Sequence, residues 1–216
     1  MSTPVLIIGP SGSGKSRSLL NLDPETSFLI CAMKKPLPFR GWKDKWRHVA
    51  KDAPGGNLLY SDDPEEIRQY MHRISDKRSA CKTIVIDDAQ YIMANEFMRR
   101  ARERGYEKFT QIGQSFWLLV MESGALRDDL TVVFLQHSDT DDSGSVKAKT
   151  IGKMLDDKVT LEGMFTIVLR TAIRDEKHIF TTRNSGNDTV KTPEGMFNTD
   201  TIENDISIVL EAITNY

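Results

Sequence analysis

Near the amino terminus a four-residue apolar run, Val5-Leu6-Ile7-Ile8, passes directly into Gly9-Pro10-Ser11-Gly12-Ser13-Gly14-Lys15-Ser16. The run has the length and uniform apolarity of a strand buried on both faces of a parallel sheet. The eight residues after it satisfy G-x-x-x-x-G-K-[ST] at every fixed position. That pattern dictates a local shape. Its glycines let the backbone turn tightly and aim several N–H groups into one hollow, and the helix predicted over 15–21 adds the positive end of its dipole. The hollow suits a β-phosphate. Gly9, Pro10, Ser11, Gly12, Ser13, Gly14, Lys15 and Ser16 are therefore the predicted cofactor-binding residues, with Lys15 bridging β and γ oxygens and Ser16 holding Mg²⁺. ATP and Mg²⁺ are the expected cofactors.

Further short apolar runs follow at 28–32, 58–60, 83–86 and 131–135, separated by stretches long enough for crossover helices. This alternation predicts a three-layer α/β fold with a mostly parallel central sheet. Asp63-Pro64-Glu65-Glu66 reads as a helix start, with Ile67, Tyr70, Met71 and Ile74 on one face. Two more helices are expected over 90–104 and 110–123, broken at Gly105. The last third predicts a strand meander over 165–182 that turns near Asp175-Glu176, and then a closing helix carrying Ile202, Ile206, Val209, Leu210 and Ile213.

A phosphate loop calls for a carboxylate at the end of another buried strand, and Thr83-Ile84-Val85-Ile86-Asp87-Asp88 supplies it. Asp87 is the expected water-mediated Mg²⁺ partner. Asp88 either caps the next helix or polarises an attacking water. The run Thr131-Val132-Val133-Phe134-Leu135 ends in Gln136-His137. In the branch of P-loop ATPases that includes RecA and the AAA proteins, such a strand lies between the phosphate-loop strand and the carboxylate strand, and a polar residue at its carboxyl end would face the γ-phosphate. Gln136 or His137 is the candidate, and Lys15, Asp87, Asp88 and Gln136 form the predicted catalytic set.

With 216 residues the chain has room for one compact domain, taken as 1–216. Lys and Arg total 29 against 31 Asp and Glu, a net charge of -2, so attraction to a polyanion must be local rather than global. Two cysteines, Cys31 and Cys81, are too few for a disulfide framework and fit a reducing cytoplasm. No targeting or membrane segment is expected. Residues 139–150 lack apolar periodicity and read as a mobile loop with a basic end. Lys147, Lys149 and Lys153 are its predicted contacts to DNA or to a neighbouring subunit's site. Two further basic clusters stand at Arg99, Arg100, Arg102 and Arg104, and at 40–48. In the second, Trp42 and Trp46 interleave with cations as base-stacking platforms or serve as core anchors.

The chain resembles a family of small phage-encoded P-loop ATP-binding proteins, related to the RecA core, that act in phage recombination and single-strand annealing. Besides the phosphate loop and Asp87, the resemblance rests on Lys34-Lys35-Pro36-Leu37-Pro38-Phe39, Phe134-Leu135-Gln136-His137, Lys149-Thr150-Ile151-Gly152-Lys153-Met154-Leu155 and Pro193-Glu194-Gly195-Met196-Phe197. It implies a RecA-like ATPase that forms a homo-oligomer, handles single-stranded DNA and works beside a single-strand binding protein. Where RecA-like enzymes place a catalytic glutamate, this chain has Cys31-Ala32-Met33-Lys34, so hydrolysis is expected to be slow, to depend on Asp88, or to be dispensable with ATP binding acting mainly as an assembly switch. A first strand beginning at Val5 leads one to expect assembly without RecA's amino-terminal extension. An ATP-gated adaptor that engages a replication protein is the competing expectation. A small-molecule kinase is disfavoured, because no arginine-rich lid or acceptor motif stands between the phosphate loop and Asp87.

Overall fold

A computed structural model of the protein describes residues 1–49, 55–152 and 155–216. The apolar runs become β1 (Thr3–Gly9), β2 (Ser27–Cys31), β3 (Leu58–Tyr60), β4 (Thr83–Asp87) and β5 (Thr131–Thr140). They are followed by β6 (Val146–Ala148), β7 (Ile167–Arg174), β8 (Lys177–Thr181) and β9 (Thr201–Glu203). The sheet runs β3-β2-β4-β5-β1-β7-β8-β9, with β6 paired to β5. Every neighbour pair from β3 to β7 is parallel, and β7-β8-β9 form an antiparallel meander. β5 thus lies between the phosphate-loop strand and the Asp87 strand, the order expected of the RecA and AAA branch.

Alternation along the strands divides the core in two. Leu6, Ile8, Ile84, Ile86, Val132 and Phe134 pack against Ile67, Met71, Ile92, Ile112, Phe116 and Leu119. These come from α2 (Pro64–Lys77), α3 (Gln90–Arg99) and α4 (Glu107–Ser123). On the other face Val5, Ile7, Val85, Val133 and Leu135 meet Leu19, Trp46, Ile206 and Val209. Ile206 and Val209 belong to α5 (Ile206–Asn215), and Trp46 directly follows α1 (Trp42–Lys45). The predicted start of α2 forms as expected: the Asp63 side chain accepts from the Glu65 N–H at 2.9 Å, with Pro64 in the first turn. No helix among the described residues is long and apolar enough to cross a membrane.

Several local expectations are corrected. The helix predicted over 15–21 is a single 3-10 turn, Ser16–Leu19. The Ser18 hydroxyl donates to the Lys15 carbonyl at 2.5 Å, and Pro24 lies a few residues on; both work against a longer helix. The helix predicted over 90–104 stops at Arg99, because the buried Lys108 ammonium takes up the carbonyls of Arg100 and Glu103 at 3.1 and 2.8 Å. Residues 139–150 are not a loose loop but largely a hairpin of β5 and β6. The Asp141 carboxylate accepts from the Ser143 and Ser145 N–H groups, each at 2.9 Å, and Gly144 turns with φ 82°. Residues 167–174 are joined in one strand that leaves out Phe165, and the turn at Asp175 and Glu176 has both residues at positive φ, 48° and 62°. Ile202 belongs to β9 rather than to the closing helix, which starts after Asp205 caps the Ser207 N–H at 2.8 Å.

Candidate nucleotide site

Gly9 ends β1 opposite His137 of β5, and the loop meets Asp87 at the carboxyl end of β4 and Thr171 within β7. Ser13, Gly14 and Lys15 are buried, while Ser11 and Gly12 are exposed at the rim. The loop is fastened to β7: the Ser13 and Thr171 hydroxyls lie 2.5 Å apart, and the Ser13 hydroxyl also donates to the Pro10 carbonyl at 2.7 Å. Gly14, at φ 108°, lies against His178 and Asn204, so that a Cβ there would stand 2.8 Å from the His178 Nδ1. His178, on β8, uses that nitrogen to donate to the Ser13 carbonyl at 2.9 Å. A cleft of about 490 Å³ opens above, lined by the loop, Lys35, Pro36, Asp88, His137 and His178. Its chemistry rather than its size distinguishes it, since a cleft of about 510 Å³ beside α2, α3 and α4 is walled by Asp62, Glu65, Glu96 and the paired Arg99.

The Lys15 ammonium donates to the Gly9 and Pro10 carbonyls at 2.7 and 2.9 Å. Burial lowers its pKa to about 8 against the raising influence of Asp87 and Asp88. The Ser16 hydroxyl donates to Asp87 Oδ1 at 2.9 Å, so the two predicted metal residues already meet. Burial and the neighbouring Asp88 charge push the Asp87 carboxyl above the usual carboxylate range. Such a carboxylate gains from a cation placed beside it. No cluster of three or more His, Cys, Asp or Glu side chains able to hold a metal occurs among the described residues. One hydroxyl and one carboxylate, with the remaining ligands from water and phosphate, is a donor set suited to Mg²⁺. The residues present therefore fit both cofactors.

Asp88 has positive φ, 58°, which turns its side chain away from a simple helix-capping pose. Its two oxygens face Lys35 Nζ at 2.5 Å and His137 Nε2 at 3.6 Å. Burial alone would raise its pKa, but the His137 ring and the Lys35 ammonium outweigh that and hold it below the usual carboxylate range. Gln136 takes a different place. It stands in register with Ile8 on the α2–α4 face, wholly buried, and its Nε2 donates to the Lys149 carbonyl at 2.8 Å. The two-residue period of β5 thus brings His137, not Gln136, to the cleft. Cys31, at the RecA glutamate region, pairs in register with Asp87; burial first, then the two aspartates, drives its thiol far above the ordinary range.

A family model described as an AAA domain matches residues 2–197. The chain belongs to this AAA domain family. No curated protein matches it. Membership and fold agree on a P-loop NTPase type of domain, one that suggests nucleotide binding, and the AAA domain here presents its phosphate loop, Asp88 and His137 around one cleft.

Of the predicted contacts, Lys149 is exposed and Lys147 part-buried opposite Asp139 on the hairpin, while Lys153 lies outside the described residues. Trp46 is a core anchor at 2% exposure, and Trp42 packs partly against the same core, so neither forms an open stacking platform. Arg99 and Arg100 of the arginine cluster are engaged by Asp62, Glu96 and Glu103. Sequence reasoning overlooked Lys35 and His178 as site residues. Lys35 stands in the Lys34–Phe39 segment that carries the family resemblance, a signal that could have drawn attention to it; His178 has none, being one polar residue in an edge-side strand.

Proposed function

We propose that this AAA domain binds Mg²⁺–ATP in the cleft, hydrolyses it slowly, and acts as an oligomeric single-stranded-DNA-binding protein of phage recombination or annealing, with a single-strand binding protein as a further partner. Bound Mg²⁺–ATP would supply the scissile phosphoanhydride and a partly neutralised polyphosphate charge. The loop N–H groups and Lys15 would hold that charge, Ser16 and Asp87 would hold the metal, and Asp88 is placed to orient a water. His137 keeps Asp88 in position. Slow turnover follows from a base whose pKa is held low and from the absence of an acid at the Cys31 region.

The observation that carries the DNA part of this reading is the link from cleft to hairpin. Lys149 donates its N–H to the His137 carbonyl at 2.7 Å and accepts from Gln136 with its own carbonyl. Movement of β5 on nucleotide binding would therefore reach the lysine-bearing hairpin through one backbone and one side-chain hydrogen bond. Substituting Lys147 and Lys149 together by Ala should weaken single-stranded DNA binding and flatten the dependence of log affinity on log salt by about 0.7 for each phosphate no longer neutralised. Gel-shift titrations of single- and double-stranded DNA with ADP or a nonhydrolysable ATP analogue, at two salt concentrations, test this. Absence of single-stranded DNA binding at low salt, with or without nucleotide, would end the DNA reading.

A second reading, an adaptor for a replication protein, is favoured by one surface. Met98 and Tyr106, 67% and 88% exposed, flank the α3–α4 connection beside arginines already engaged by carboxylates. A helicase or polymerase retained by the protein without DNA would support it.

The lowered pKa of Lys15 gives the cleft a pH signature. The free ammonium begins to lose its proton near pH 8, whereas phosphate contact favours the charged form. Nucleotide affinity should hold steady well below that pH and fall above it by up to about tenfold per pH unit, proton uptake on binding rising from near zero toward one across the same range. Calorimetry in buffers of different ionisation heat reads both quantities, and a flat profile from pH 7 to 9.5 would contradict the assignment.

A further inference from the structure

Lys35 has a place in the cleft that neither the phosphate-loop pattern nor the carboxylate pair requires. It follows β2 in a tight turn, its N–H donating to the Met33 carbonyl at 2.9 Å, and Pro36 and Pro38 stiffen the backbone after it. The side chain is 49% exposed, yet its Nζ reaches a carboxylate that is only 4% exposed, Asp88 Oδ2 at 2.5 Å. The ammonium therefore spans from open solvent to the back of the cleft. Its charge is among those that lower the pKa of Lys15, so the two ammonium groups address the same space.

A nucleotide whose β-phosphate lies in the loop, with Lys15 and Ser16 beside it, places any terminal phosphate toward the ends of β4 and β5, where Asp88 stands. Two anions then compete for one region, and the mobile cation between them is Lys35. The longer, more highly charged partner draws it. A diphosphate ends before that point and leaves the Lys35–Asp88 pair intact.

We infer that Lys35 is a second phosphate-binding lysine, resting on Asp88 when no terminal phosphate is present and moving onto that phosphate when a triphosphate enters, so that it sets the preference for triphosphate over diphosphate. This rests on the nucleotide-binding reading above and assigns its specificity to one residue. The basis is geometric: one flexible cation, one buried carboxylate and one cleft.

Calorimetric titration of the full chain with ADP and with a nonhydrolysable ATP analogue tests it. Lys35→Ala should weaken the triphosphate by about 10-fold while ADP stays within about twofold. Lys35→Arg should keep most of the preference. Asp88→Asn should move the ratio the other way, toward the triphosphate, because it removes both the competing anion and the hold on Lys35. A purely structural ion pair predicts otherwise: breaking it from either side would change the ratio in the same direction or not at all, and either result overturns the inference. Lys35→Gln and a thermal melt of each variant separate weakened binding from failed folding. Wild-type protein that binds the triphosphate no better than ADP would remove the inference alone; wild-type protein that binds neither would remove the nucleotide reading beneath it.

Discussion

Lys15→Ala should lower nucleotide affinity by about 100-fold or more, while the nucleotide-free protein should keep its thermal midpoint. The loss follows from charge-assisted hydrogen bonds to two phosphates, each of about 1.5–3 kcal/mol, against about 1.4 kcal/mol per tenfold in affinity. Retention of the fold follows from the cost of the charge where it sits. A pKa lowered from 10.5 to about 8 means that burial disfavours the ammonium in the free protein. The shift corresponds to about 3 kcal/mol of unfavourable charge burial. Removing the group relieves that net cost, which already includes the attraction of Asp87 and Asp88, and sacrifices its contacts to the Gly9 and Pro10 carbonyls. Isothermal titration beside a melting curve distinguishes the two effects. Undiminished binding would mean that the cleft is not the nucleotide site, and a collapse in melting temperature would mean that Lys15 is chiefly structural.

The second large effect is expected at Gly9, where the constraint is space. A Cβ built on Gly9 would stand 1.8 Å from Thr171 Oγ1, 3.1 Å from Thr171 Cβ and 2.7 Å from Ser13 Oγ. Retreat is blocked on both sides, because β1 is paired with β5 at Gly9 itself and with β7 just before it. Gly9→Ala should therefore cost about 3 kcal/mol, a fall in melting temperature of about 6–12 °C for a chain of this size. Thr171→Ala alone should cost about 1 kcal/mol, from the hydroxyl contacts to Ser13 and the Ile8 carbonyl. The double variant should melt above Gly9→Ala, because the nearest atom has gone and Ser13 can rotate away. Strict additivity of the two losses would refute the close-approach explanation.

Much of the fold was legible because each buried strand announces itself as an unbroken apolar run, and because Asp63-Pro64 is a local helix signal with a local partner. The phosphate loop was legible for the same reason: its function depends on the backbone conformation of eight consecutive residues. What escaped was decided by partners distant in the chain. Lys108 ends α3 from the next helix, and Asp141 gathers a turn that composition alone presents as a loop. Lys35 reaches Asp88 across 53 positions of sequence, a contact that no spacing rule describes.

Gln136 and His137 show the boundary most clearly. Their neighbourhood followed from the sequence alone, as a polar pair ending an apolar run. Which of the two meets the cleft depended on the pleat of β5 and its register against β1, where a shift of one residue exchanges the faces. The sequence by itself determined a phosphate loop, a carboxylate at the end of a second buried strand and the α/β class that joins them, since each is written in contiguous residues. Only the tertiary structure decided that Ser16 meets Asp87, that Lys35 and His137 hold Asp88, and that the lysine hairpin is bonded to the β5 end. Those are meetings between strands, and strand order and register are set by the packing of the whole sheet.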